Sequence, residues 1–320
     1  MATVRDLTTT SITEAVLRQM SETPDPRLKQ VMECLVCHMH DFARDVNLAP
    51  TEWLKAIEFL TKVGQTCTTA RQEFILLSDV LGLSALVNLL HDKTTVEIGT
   101  ESSLLGPFYR RNAPSLELGA SIASRAGDEP ELLLYGQVTD KAGEPVPDAL
   151  LHVWQADTRG EYDLQKFHGE HMDMRGVFRC DEEGRFYFRT VKPLGYYIPM
   201  DGPVGALIRA QQRHGCRPAH IHFLIAAKGH RELVTALYLA GDEHIDSDTV
   251  FGVSSPLVTS PRDSDPDAPI RGIPAIRYNF RLGRASDNET GRVGADPAQI
   301  LLADIASVRS QSDRETTASK

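Results

Sequence analysis

Two histidines one residue apart, His220 and His222, are the pair in this chain whose type and spacing point most directly to chemistry. In a β-strand, residues i and i+2 project from the same face, so both imidazoles would enter one cavity while Ile221 turns away. That geometry offers two nitrogen ligands to one metal ion. The pattern alone is also open to a plainer account, two polar histidines satisfied by hydrogen bonds at a strand edge. Further candidate ligands stand upstream. Tyr162 lies in Trp154-Gln155-Ala156-Asp157-Thr158-Arg159-Gly160-Glu161-Tyr162-Asp163, and Tyr196 in Lys192-Pro193-Leu194-Gly195-Tyr196-Tyr197-Ile198-Pro199. Both stretches are rich in Gly, Pro or Asp and read as loops, which can re-aim side chains. Taken singly, either tyrosine is an ordinary core or surface aromatic. As a pair of phenolates beside two imidazoles, they would favour a hard trivalent cation, ferric iron, over Zn(II) or Fe(II).

The elements that must hold these residues change period along the chain. Val31, Leu35, His38 and Phe42 recur at helical spacing, and so do Trp53, Ile57, Leu60 and Gly64 after Pro50-Thr51. Ser11 to Glu14 reads as a capping box, Pro24-Asp25-Pro26 as a break, and residues 71–91 as a less regular continuation of the helical region. Further on the period falls to two. Leu132, Leu134, Gly136 and Val138 alternate, Leu151, Val153 and Trp154 begin another strand, and His220 to Ala226 and Leu233 to Leu239 flank Lys228-Gly229. Asp181-Glu182-Glu183-Gly184, set between Gly176-Val177-Phe178 and Phe186-Tyr187-Phe188, reads as the turn of a hairpin. Helical patterns between these strands are scarce, so an antiparallel sandwich or barrel is expected rather than a βαβ fold. Residues 254–275 read as loop, and the polar tail as disordered.

Composition sets outer bounds. The chain has 320 residues with 41% hydrophobic and 24% charged content, ordinary for a globular protein with a sizeable core. A net charge of −10 argues against a nucleic-acid partner, because phosphate binding rests on clustered Lys and Arg. No basic segment followed by an apolar run opens the sequence, and no apolar stretch is long enough to span a bilayer, so a cytoplasmic location is expected. Five scattered cysteines read as reduced thiols. Cys34-Leu35-Val36-Cys37-His38 matches a haem-attachment pattern, but inside a helical stripe it reads as two buried helix cysteines. His168, His171, His214 and His230 read as loop or surface histidines, and Cys216 as an inert thiol.

The ordered set Trp154-Gln155-Ala156-Asp157, Tyr162-Asp163, Gly195-Tyr196 and Arg217-Pro218-Ala219-His220-Ile221-His222 resembles the intradiol ring-cleavage dioxygenases, in their catechol and hydroxyquinol 1,2-dioxygenase branch. The likeness covers roughly residues 25–285 and rests on several separated motifs in one order. It implies a mainly β protein with α: an N-terminal helical dimerisation region over 1–110, a β-sandwich catalytic domain over 111–285, and a partly disordered tail over 286–320. It also implies one Fe(III) per subunit, held by Tyr162, Tyr196, His220 and His222, with Tyr196 rather than Tyr197 as ligand because it stands 24 residues before His220 (220 − 196 = 24). Arg217 corresponds to the family's active-site arginine, and Tyr196 to the ligand that leaves the metal to take a substrate proton.

The substrate is read from a second set of residues. Leu76-Leu77-Ser78-Asp79-Val80-Leu81-Gly82 and Leu104-Leu105-Gly106-Pro107-Phe108-Tyr109 resemble the hydroxyquinol branch more than the catechol one. The resemblance places Leu76, Asp79, Leu105, Gly106, Pro107, Phe108, Tyr197, Ile198 and Pro199 around the ring. A carboxylate at Asp79 would accept a hydrogen bond from a third ring hydroxyl, although a solvated carboxylate at a helix end is the ordinary alternative. Ala236 stands where the catechol branch is expected to carry Gln. The implied reaction inserts both atoms of O2 into hydroxyquinol to give 3-hydroxy-cis,cis-muconate, the enol of maleylacetate. Catechol or a substituted catechol, giving cis,cis-muconates, is the alternative substrate. A zinc hydrolase and a non-catalytic binding sandwich are the remote ones. The branch further implies a homodimer through the N-terminal helices, with a phospholipid possible at that interface.

Overall fold

The computed structural model describes residues 5–68, 71–94, 99–124, 129–166 and 171–285. His168 and the segment 286–320 lie outside the described residues, so the expectations placed on them have no counterpart below. The chain divides into two units, Met1–Gln65 and Thr66–Lys320.

The first unit is helical, with α1 (Ser11–Gln19), α2 (Pro26–Asp45) and α3 (Pro50–Thr66). The expected capping box does not form. Thr10 holds the N-cap position without a side-chain bond, and the Ser11 hydroxyl instead accepts from Thr8 N–H at 2.8 Å. The break at Pro24-Asp25-Pro26 is where α2 starts. Pro26 fills the first turn, where a missing N–H costs nothing, and the Asp25 carboxylate accepts from Arg27 and Leu28 N–H at 2.8 and 3.2 Å. Leu28, Val31, Leu35, Met39 and Phe42 recur every three or four residues along α2, and all are exposed. Cys34 is exposed and Cys37 half-buried, contrary to the expected buried pair, because the apolar stripe they follow faces outward.

The second unit contains the sandwich. In one sheet, β1 (Glu131–Thr139) pairs antiparallel with β4 (Arg185–Val191) and parallel with β10 (Ala275–Arg277) and β11 (Phe280–Arg281). The other sheet has the order β3 (Arg175–Arg179), β2 (Leu150–Gln155), β7 (His220–Ala226), β8 (Leu233–Leu239) and β9 (Val258–Thr259). A two-stranded ribbon of β5 (Tyr196–Tyr197) and β6 (Cys216–Arg217) lies outside both. Helices α4 (Glu73–Val80), α5 (Leu83–Thr94), α6 (Asp163–Lys166) and α7 (Pro203–Ala210) belong to this unit. Among the described residues no single helix is long and apolar enough to cross a membrane.

The hairpin expected around Asp181-Glu182-Glu183-Gly184 is a crossing between sheets. The turn is tight, with Gly184 N–H donating to Asp181 O at 3.0 Å, yet β3 pairs with β2 and β4 with β1. The reason is burial. Phe178 on β3 and Phe186 and Phe188 on β4 all point into the layer between the sheets, where Phe178 and Phe188 stack at 4.9 Å. Pairing the two strands in one sheet would remove one wall of that layer. The same layer takes Ile221, Phe223 and Ile225 from β7, which leaves His220 and His222 on the outer face of the sheet. That face is covered in turn by Trp154, Tyr162, Tyr196 and Phe108, so β7 is buried on both sides.

Candidate metal centre

Four ligand-type side chains converge outside β7. His220 Nε2 lies 3.0 Å from His222 Nε2 and 3.5 Å from the Tyr162 hydroxyl, and the rings of Tyr162 and Tyr196 meet edge-on at 5.3 Å. All four are at most 6% exposed. Each is set by its element. The imidazoles share a face through the period of two. Tyr162 sits between an Asp157 turn and α6. The Asp157 carboxylate accepts from Arg159 and Glu161 N–H at 2.9 and 3.0 Å, and Gln165 accepts from Tyr162 N–H at 2.8 Å. Gly160 in that turn has φ +79°, and a Cβ there would come within 2.7 Å of Gly195 O, so its glycine lets the two tyrosine-bearing loops touch.

The ribbon turns the adjacent tyrosines to opposite faces. Directly opposed residues of an antiparallel pair share a face. Tyr196 opposes Arg217 and Tyr197 opposes Cys216. Tyr196 and Arg217 therefore turn inward together, with the guanidinium 3.5 Å from the Tyr196 hydroxyl, while Tyr197 is 66% exposed.

Arg217 is fixed from behind. It donates to both oxygens of Asp248 at 3.1 and 3.2 Å and to the Tyr238 hydroxyl at 3.2 Å. Tyr238 in turn contacts the Ser103 hydroxyl at 2.9 Å. Burial pushes the Asp248 carboxyl up, but Arg217 outweighs it and holds that carboxyl below the usual carboxylate range. The guanidinium thus stays charged in a dry site, 3.2 Å from His220 Nε2.

The donor set fits a cation. His220 Nδ1 sits 2.7 Å from Pro218 O, an acceptor only, so that nitrogen carries the proton and Nε2 keeps its lone pair. His222 Nδ1 lies against the Leu104 backbone without a well-formed hydrogen bond. Burial and then the Arg217 charge push His220 down to about 3, and burial and then His220 push His222 well below its ordinary value. Burial keeps both rings neutral, so each has one lone pair to offer, and a cation between the two Nε2 atoms would take both with the His222 proton on Nδ1. Burial pushes both phenols up, Tyr162 well above its ordinary value. A bound cation would draw the protons from such phenols.

Around this centre, one cavity is lined by Leu76, Asp79, Gly106, Pro107, Phe108, Ile198 and Pro199 together with Tyr196 and Arg217. Leu105 packs behind it against the Trp154 and Phe108 cluster. Tyr197 is not part of its wall. Phe108 stacks on Tyr162 at 4.2 Å and is held by Arg175, which donates to Phe108 O at 3.0 Å while pairing with Asp163. Trp154 stacks on His222 at 4.9 Å with planes only 5° apart. Asp79 is 5% exposed; burial pushes its carboxyl up, opposed by the Ser84 hydroxyl and the Arg217 charge. α4, which carries Leu76 and Asp79, is anchored through the fully buried Glu73, which accepts from Arg71 at 2.9 Å and from Val204 N–H of α7 at 3.1 Å.

Leu104, Val250, Asp248 and Tyr238 join the site without having been expected there. Tyr238 was within reach of sequence reasoning. On β8 it opposes His220, as Ala236 opposes His222, so the period of two puts both on the imidazole face. Asp248 comes from an irregular loop and carries no comparable signal.

Comparison with known proteins agrees with this geometry. Residues 104–284 match the family described as Dioxygenase, and residues 25–98 the one described as Catechol dioxygenase N terminus. The chain is 48% identical over 248 residues to 6-chlorohydroxyquinol 1,2-dioxygenase of Cupriavidus pinatubonensis, covering 78% of this chain and 89% of that one. To hydroxyquinol 1,2-dioxygenase of Nocardioides simplex it is 41% identical over 292 residues, covering 91% and 94%. The crystal structure of hydroxyquinol 1,2-dioxygenase from Pseudomonas putida superposes with a TM-score of 0.79 at 39% identity, over 87% of this chain and 99% of that one. These likenesses set aside the zinc hydrolase and the non-catalytic sandwich. The chain belongs to the intradiol ring-cleavage dioxygenases and is an enzyme of that class.

Proposed function

We propose that this enzyme holds one Fe(III) per subunit through Tyr162, Tyr196, His220 and His222 and cleaves hydroxyquinol, 1,2,4-benzenetriol, to 3-hydroxy-cis,cis-muconate with O2. The observation that carries the substrate is Asp79, a buried carboxylate in the same cavity as Tyr196 and Arg217. Ferric iron held by these four residues would supply the Lewis acidity and electron-accepting capacity that make an ortho-diol ring reactive toward O2. Every other part of the work falls to side chains. Tyr196 Oη, beside Arg217, would be deprotonated as a ligand and could then take a proton from the diol. Arg217, permanently cationic and clamped by Asp248, stabilises negative charge that develops on the reacting oxygens. Phe108, Pro107, Ile198 and Pro199 form apolar walls that exclude water and fix the ring plane. Asp79 accepts the hydrogen bond of the third hydroxyl, which catechol lacks.

The expected result is a higher kcat/KM for hydroxyquinol than for catechol, with 3-hydroxy-cis,cis-muconate as product. Asp79→Ala should cut hydroxyquinol kcat/KM by ~10–100-fold, a loss of about 1.5–3 kcal/mol for one hydrogen bond to a charged group, and leave catechol nearly unchanged. A clear catechol preference in the wild type, or equal losses on both substrates, would contradict the assignment.

The outward stripe of α2, with Trp53, Ile57 and Leu60 exposed on α3, supports a homodimer formed through the N-terminal helices, and the same apolar surface would suit phospholipid acyl chains. Sedimentation should give twice the chain mass of 35.4 kDa, and a stable monomer would refute the dimer. In the same reading, residues 1–110 form the dimerisation region and part of the pocket, 111–285 the catalytic domain, and 286–320 a tail. Free thiols at Cys34, Cys37, Cys180 and Cys216 support a reducing, cytoplasmic setting.

A further inference from the structure

We propose that His214, Cys216 and His244 form a second metal site, separate from the tyrosine–histidine centre, that takes a thiophilic divalent cation such as Zn2+ or Cd2+. The ribbon that sends Tyr196 and Arg217 inward sends Tyr197 and Cys216 to its other face. There the Cys216 sulfur meets two imidazoles, and one ligand atom from each of the three residues lies within 4.8 Å of the others. Two imidazoles and a thiolate form a known zinc ligand set, with a water completing the tetrahedron. Metal–sulfur and metal–nitrogen distances of about 2.3 and 2.0 Å require ligand atoms roughly 3.5 Å apart. The site must therefore contract by about 1 Å.

The surroundings allow that contraction. His214 is exposed, and its ring stacks on His244 at 4.8 Å with planes 28° apart. Its Nδ1 now accepts from Cys216 N–H at 3.1 Å, so the ring turns to present a nitrogen to the ion. His244 is better prepared. Its Nε2 lies 3.4 Å from the Glu243 carboxylate, which leaves Nδ1 for the metal. An imidazole that donates to a carboxylate on one side while ligating on the other is the usual orientation at zinc centres. The loop that carries His244 is fastened, since Asp242 accepts from His244 N–H and from Ala219 N–H, both at 2.9 Å. A cleft beside His214, lined also by Asp246 and Ser247, opens a path for a hydrated cation. On binding, the Cys216 thiol gives its proton to solvent as the sulfur–metal bond forms, and no electron transfer is involved.

The test is equilibrium dialysis of the full-length, iron-loaded protein against Cd2+ alone, with the thiolate-to-cadmium absorption read in parallel. The exposed Cys34 can also bind cadmium, so the site is read as a difference between variants. Cys216→Ser should lose one equivalent of cadmium and its share of the absorption. The double variant His214→Ala/His244→Ala, which keeps every thiol, should bind that equivalent at least ~10-fold more weakly. Wild-type binding in Cys216→Ser would overturn the proposal. So would wild-type affinity in the double variant, since a lone thiol would then explain the binding. The double variant alters a surface loop, so it gives a reading even if Cys216→Ser fails to fold.

Discussion

His222→Ala should be isolated with less than about a tenth of the wild-type iron, and its turnover should fall by ~10³-fold or more, beyond the ~10–100-fold typical of changes one shell further out. His222 supplies one of four convergent donors and is the ring on which Trp154 stacks at 4.9 Å, so its removal deletes a ligand and unseats the aromatic that orients it. Metal analysis of the purified variant checks the first effect independently of activity. His214→Ala, outside the centre, should retain its iron. A His222→Ala protein with full iron content would remove His222 from the ligand set.

Arg217→Met should reduce both turnover and stability. The lost cation is expected to cost ~10²–10³ in kcat, the range seen when a preorganised charge-stabilising donor is removed. Stability should fall by ~3–5 kcal/mol, because the substitution strands the buried Asp248 carboxylate. The two effects separate in a double variant. Arg217→Met/Asp248→Leu has no stranded charge and should regain most of the denaturation midpoint, while turnover stays low. Recovery of turnover in the double variant would show that Arg217 serves packing alone.

Legibility from sequence followed the range of the interactions. The projection of His220 and His222 to one face is a local property of strands, and β7 obeys it because Ile221, Phe223 and Ile225 have a core to enter on the other side. The separation of Tyr196 from Tyr197 is not local. It depends on the ribbon register that sets Tyr196 against Arg217, and only the resemblance to a known family indicated it in advance. The turn at Asp181 to Gly184 shows the same limit. Its residues suit a hairpin and an inter-sheet crossing equally, and the choice falls to Phe178, Phe186 and Phe188, which need two different walls. The Ser11 capping box failed for a smaller reason, since the helix begins one residue earlier than the pattern requires. Asp248, the residue that holds Arg217, could not be read at all, because it lies 31 positions away in an irregular loop.

The central claim, a ferric ion bound by two tyrosinates, is tested most directly by the visible spectrum of the purified protein alongside its iron content. One iron per chain with a reddish tyrosinate-to-iron charge-transfer band, shifted or bleached in Tyr196→Phe and unchanged in Tyr197→Phe, is the result expected from the inward-facing Tyr196 and the exposed Tyr197. Protein that binds iron stoichiometrically yet stays colourless, or loses its colour only on Tyr197→Phe, would contradict it.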